Sequence, residues 1–490
     1  MARAGAATLE AASCLGVLRS VVLRVPRLPL AAVVSVALAA PCALAAERLP
    51  SDALFLPPDL YRPAAAPLPS DDEGAAQWLA RAEQALAQGR VAETLRCAAA
   101  ALACDPEQPQ ARRLLAQQRV GRRWAGGHAA RLLAAGRQWH PQWGWVGPEH
   151  LPQYEAGLRP LGRRWISAEE DAARHAAIAD GWTVRTDNFQ VTTNESPAAA
   201  VELASRLEGV YLLWLQRFGD YALTPEQLRK RWDGDQASGY RRQPFRVVYH
   251  RSRAEYNQAL RVHQPQIDIT LGIYFDHLRQ CHFFAGDDQD PGTLRHEATH
   301  QFFQESGRSA RRAAAVANAW ALEGVACYCE SLAPLAFAGE LRGSTVWRLG
   351  GAEAGRLPAA RQRRLRDGYY VALAELAELG MTELQARPDL PPLYSQAAGL
   401  ATFFVEGQGG RYREAFVELL RQIYAGRDEP GTLERLSGES YRELDRQYEQ
   451  YLREAEPFVP AERPVAGSAA GGSVREGASP IANGPGFEGE

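Results

Sequence analysis

The chain has 490 residues, 46% hydrophobic and 23% charged, with a formal net charge of -3. That length exceeds one compact domain and the composition is that of a globular protein, so two folded parts with flexible ends are expected. The near-neutral balance offers no field to attract polyanions and excludes nucleic acid as a partner. Lys230 is the single lysine, so the Arg, Ala and Gly richness reads as a base-composition bias and not as an Arg-specific surface.

Residues 1–46 read as a signal peptide. Arg3, Arg19, Arg24 and Arg27 precede an apolar run at residues 28–40, and Ala43-Leu44-Ala45 offers a small-x-small cleavage site. The run is short for a bilayer, so no stable membrane span is expected after cleavage, and the mature chain is expected to be exported, periplasmic or extracellular. An uncleaved anchor is the alternative; a lipoprotein through Cys42 is disfavoured by Pro41 before it. Of seven cysteines, Cys14 and Cys42 leave with the signal. Cys97 and Cys104 then stand on one expected helix, roughly 10 Å apart by the rise per residue and beyond disulfide reach. Those two, Cys281, Cys327 and Cys329 are not a disulfide scaffold, and most of them read as small buried side chains.

After a Pro-rich linker at residues 47–70, residues 71–123 form an expected all-α segment. Small and apolar residues recur at helical spacing over residues 75–116, with a break at Gln88-Gly89-Arg90. Trp78, Ala82, Gly89, Val91, Ala101 and Asp105-Pro106 resemble the tetratricopeptide consensus, with Thr94 where that pattern prefers Ala. Such a hairpin either offers a groove to a protein partner or packs as an adaptor. Residues 124–164, rich in Trp, Gly and Pro with little periodicity, read as a connector.

Residues 165–455 form the expected catalytic domain. The alternation at residues 182–193 around Asp187-Asn188 predicts a β-hairpin, and a stripe through Leu203, Leu207, Tyr211 and Leu215 predicts a helix over residues 199–218. Residues 245–250 read as a strand, and residues 271–276 and 280–284 as the arms of a second hairpin. Residues 294–452 read as helices and loops, and residues 456–490 as a disordered tail. Strands followed by a helical half describe an α+β unit.

At that join lies Arg295-His296-Glu297-Ala298-Thr299-His300. On a helix, H-E-x-x-H sets two imidazoles one turn apart, roughly 6 Å between Cβ atoms, where they chelate one Zn2+ with the glutamate beside it as general base. Composition alone would produce the pattern with a chance of about 0.02. A third ligand is needed. The extension H-x-x-G-x-x-H fails, since Phe303 and Ser306 stand at its Gly and His positions. Trp320-Ala321-Leu322-Glu323-Gly324-Val325-Ala326 supplies a carboxylate in an apolar helix, a costly burial that a metal explains. Glu305 and Glu330 compete for the role. Glu305 lies too near the first helix for an easy return, and Glu330 reads either as a solvated helix-end charge or as a group orienting an imidazole.

His296 to His300 with Trp320-x-x-Glu323-Gly-x-Ala326 resembles the gluzincin metallopeptidases, and most nearly a secreted bacterial family of peptidase MA-like proteins. The likeness covers residues 165–455 and includes Tyr394-Ser395-Gln396-Ala397 and Gly409-Gly410-Arg411-Tyr412-Arg413. It implies a zincin-like fold, a zinc-dependent peptidase and a peptide or protein substrate, with His296, His300 and Glu323 on the metal and Glu297 as base. It also implies that Tyr394 donates to the tetrahedral oxyanion; the alternative for Tyr394 is a core aromatic. The Gly-x-Met-Glu-Asn segment of the clan's aminopeptidases is missing, Met381 being the only methionine after Met1. The second hairpin stands where zincins keep a substrate-binding edge strand. The competing function is an interaction protein with an inactive zincin-like domain, acting through its tetratricopeptide-like segment.

Overall fold

Small residues let the first two helices pack closely. In the computed structural model, which describes residues 72–235, 243–286, 291–307, 309–310, 313–335, 346–349 and 356–454, α1 (Asp72–Ala87) and α2 (Val91–Cys104) form the expected helical hairpin. Gly89 adopts φ +73°, the left-handed conformation that a helix-terminating turn requires. Ala82, Leu86, Val91, Leu95, Ala98 and Leu102 pack with Leu223 and Leu228, so the hairpin's apolar face lies on the following α+β part. The expected signal peptide, linker and tail fall outside the described residues.

The expected all-α segment stops short of residue 123: from Gln118, through the expected connector, the structure has three successive units, each a short antiparallel hairpin followed by a helix. The hairpins are Gln118–Val120 with Arg123–Ala125, Gln138–His140 with Gly144–Val146, and Leu158–Leu161 with Arg164–Ser167. Trp124, Trp145 and Trp165 each occupy the second strand of their unit. The units lie along the next hairpin of the chain, formed by β1 (Trp182–Arg185) and β2 (Phe189–Thr193). Asp187 in its turn accepts from the backbone N–H groups of Gly126, His128 and Ala129 at 3.0, 3.0 and 2.9 Å, capping the first unit's helix. Trp145 donates to Arg185 O at 3.0 Å, and Trp182 to Asp171 Oδ2 at 2.9 Å.

The main sheet is five-stranded. With β3 (Phe245–His250), β4 (Ile273–Phe275) and β5 (Gln280–Phe284), its order is β4-β5-β3-β2-β1. The two outer pairs are antiparallel and the two inner pairs parallel. Alternation sends Phe189, Val191, Phe245, Val247, Cys281 and Phe283 to one face, against α3 (Pro197–Ala222) and α4 (Pro291–Ser306). Ile273, Phe275 and Phe284 face the other way, under Tyr256 and Leu260. Every expected strand and the long helix are present, and the chain is α+β.

Beyond α4 come α5 (Ala319–Glu330), α6 (Arg356–Leu365) and α7 (Leu390–Glu406). One departure from the expected all-helical half is an antiparallel strand pair, Leu332–Leu335 with Val346–Leu349. Helix α5 crosses α7 so closely that a Cβ on Gly324 would sit 2.7 Å from Ala397 O, so only glycine fits there. Helix α5 starts at Asn318, whose φ of +52° is tolerated because Asn suits the left-handed region. Its amide donates to Asp428 Oδ2 at 3.1 Å and Glu429 O at 3.0 Å.

Candidate metal centre

Helix α4 sets His296 and His300 one turn apart on the face turned towards α5, and α5 presents Glu323 to them. The three side chains are buried, His296 and Glu323 completely. His296 Nε2 lies 3.2 Å from His300 Nε2 and 3.5 Å from Glu323 Oε2, and His300 Nε2 lies 3.8 Å from the same oxygen. Three such atoms converge closely enough to hold one metal ion. A tetrahedral zinc with bonds near 2.1 Å separates its ligand atoms by roughly 3.4 Å, so the donor set fits that ion in both distance and chemistry.

Glu297 is fully buried on the neighbouring position of α4. The backbone N–H of Tyr274, on edge strand β4, donates to its Oε2 at 2.8 Å, while Oε1 has no hydrogen-bond partner among the described residues. Burial pushes the Glu297 carboxyl up to about 8, with nearby Glu323 adding to the effect of burial and His296 opposing it. Burial also lowers His300 to about 4, which keeps it a neutral electron-pair donor. For Glu323, burial favours the protonated acid, but hydrogen bonding and charge from His296, together with His300, outweigh it and hold the pKa below the usual carboxylate value.

Tyr394 on α7 reaches the same place. Its hydroxyl hydrogen-bonds the Glu323 carboxylate and accepts from Gln385 Nε2 at 2.8 Å. Burial and the Glu323 charge raise its pKa well above the ordinary value, so it stays a neutral donor.

The two competing carboxylates are placed differently. Glu305 is held by Gln301 Nε2 at 2.9 Å and paired with Arg279 at 3.4 Å, and neither donor group that converges here includes it. Glu330 is not a solvated helix-end charge: its Oε2 lies 3.3 Å from His296 Nδ1, and Arg356 Nε donates to both its oxygens at 3.0 Å. Burial raises the Glu330 carboxyl, but the His296 hydrogen bond and the Arg356 charge outweigh it and hold it at about 2.

Sequence reasoning passed over Tyr274, Gln385, Cys327 and Arg356. Tyr274 acts through its backbone, which no side-chain pattern reveals. Arg356 and Gln385 belong to other helices, and only Cys327, one turn beyond Glu323 on α5, had a spacing signal. No protein-family profile and no curated protein matches this chain. The functional argument therefore stands on the geometry and on the motif.

Proposed function

We propose that the chain is a zinc-dependent peptidase of gluzincin type with a zincin-like catalytic fold, acting on peptides or proteins outside the cytoplasm. The observation that carries this reading is the convergence of His296 Nε2, His300 Nε2 and Glu323 Oε2 beside a buried Glu297. His296, His300 and Glu323 would hold the ion, which supplies a Lewis acid that acidifies water and polarises the scissile carbonyl. Glu297 performs the proton work. With Oε2 fixed by Tyr274 N–H, Oε1 is the atom that takes a proton from the attacking water and returns it to the leaving amine. Tyr394 has a neutral O–H in the same cluster, donated here to Glu323; turned to the substrate, it would be the donor that an oxyanion requires. Strand β4 is an edge of the sheet; its Tyr274 N–H is taken by Glu297, and its remaining outer backbone groups can pair with an extended peptide.

The test is metal content together with hydrolysis. The purified chain should carry about one zinc and cleave some member of a diverse peptide library. Glu297→Gln should keep the zinc and lose turnover by roughly a hundredfold to ten-thousandfold. Native protein that folds without binding zinc would sink the proposal.

A further inference from the structure

His296 offers its two ring nitrogens to two different groups of side chains. Nε2 faces His300 Nε2 at 3.2 Å and Glu323 Oε2 at 3.5 Å. Nδ1 faces Glu330 Oε2 at 3.3 Å and Cys327 Sγ at 3.9 Å. Each group brings three donor atoms within 4.8 Å of one another, so by distance alone each is a metal site sharing the same imidazole. Their chemistry differs: two imidazoles and a carboxylate suit zinc, whereas the thiol-containing group also suits softer cations.

Arg356 breaks the symmetry between them. Its Nε lies 3.0 Å from both Glu330 oxygens. A guanidinium already seated on that carboxylate repels a second cation, while leaving the carboxylate able to accept from Nδ1. With the proton on Nδ1, the Nε2 lone pair faces His300 and Glu323. Arg295 secures the arrangement, donating from Nε and Nη2 to Glu330 O at 3.2 and 2.8 Å and so tying the end of α5 to α4.

We propose that Glu330 and Arg356 are a positioning pair that commits His296 to the His300–Glu323 side and closes the thiol-containing side to metal. This rests on the reading above, in which His296, His300 and Glu323 hold zinc. The pair touches neither substrate nor reacting atoms; it acts through His296.

Two readouts independent of activity test it on the full chain: zinc affinity by competition with a chromophoric chelator, and the thiolate-to-cadmium charge-transfer absorption on titration with cadmium. Native protein should bind zinc and show no thiolate–cadmium band. Glu330→Gln should weaken zinc binding about 10- to 100-fold, as the loss of a group orienting a ligand imidazole does. Arg356→Ala should also weaken zinc and gain the cadmium band, and adding Cys327→Ser should abolish that band. Arg356→Lys, which keeps a cation, should remain free of the band, and with Glu330→Gln it decides the matter should Arg356→Ala not fold. Native zinc affinity in Glu330→Gln with no band in Arg356→Ala would overturn the pair alone, as would a thiolate–cadmium band in the native protein. Native protein without zinc would instead overturn the peptidase reading on which the pair depends.

Discussion

The helices of the candidate metal centre and the hairpin–helix units store their information in opposite ways. In α4, α5 and α7, single side chains at fixed helical spacing converge on one point, and each is fully or almost fully buried. Along residues 118–174, strands of three or four residues hold together through tryptophans and through Asp187, a residue contributed by the neighbouring hairpin. The first region depends on the chemistry of a few atoms and the second on docking to the sheet. A chemical lesion in one should therefore leave the other intact.

The largest expected effect is at the third ligand. Glu323→Ala leaves two protein ligands, so bound zinc should fall well below one per chain and hydrolysis should disappear while the hairpin–helix units keep their protection in hydrogen exchange. Retained zinc and activity would return the choice of ligand to Glu305 or Glu330. Next comes Tyr394→Phe. As an oxyanion donor its loss should lower kcat about ten- to a thousandfold at constant KM and zinc content. If zinc affinity falls together with kcat, the hydroxyl's work is to hold Glu323. Asp187→Ala should reverse the pattern: three backbone donors lose their acceptor, costing about 3 kcal/mol and exposing residues 118–174 to exchange, with zinc content unchanged. Loss of metal in that variant would show that the two regions are coupled.

The smallest effect lies on the far face of the sheet. His250 Nε2 and His282 Nδ1 are 3.3 Å apart and buried. Burial lowers His250 to about 4 and His282 to about 3; Glu255 opposes the shift at His250, while His250 and His263 add to it at His282. Both are neutral in the fold, whereas the unfolded chain takes up protons below about pH 6.5. Stability should therefore fall as pH drops from 6.5 towards 3, by about 2 kcal/mol at pH 5 for His282. Thermal melts of native protein and His282→Asn across that range measure it, and equal slopes would refute the assignment.

Much of the α+β half was legible because its signals are long or chemically singular. Strand β3 coincides with the alternation at residues 245–250, and the Asp187-Asn188 turn lies between β1 and β2. His296, Glu297, His300 and Glu323 meet because helical spacing and an isolated carboxylate in an apolar helix are readable one residue at a time. The hairpin–helix units were hidden for the converse reason. Three-residue strands are too short to show alternation, and the middle unit departs from the others, its glycine standing directly before Trp145 where Gly121 and Gly162 precede Trp124 and Trp165 by three residues. The strand pair after α5 and the parallel pairing of β3 with β2 and β5 depend on distant partners and leave no local pattern.

The left-handed residue that opens α5 also ties the Glu323 helix to distant chain. Asn318 N–H donates to Ala377 O and Ala319 N–H to Leu379 O, while the Asn318 amide reaches Asp428 and Glu429. The helix bearing Glu323 is thus pinned by chain that lies some 60 to 110 residues further on. His296 and His300 are set side by side by α4 alone, whereas the placement of their carboxylate companion draws on residues 377–429.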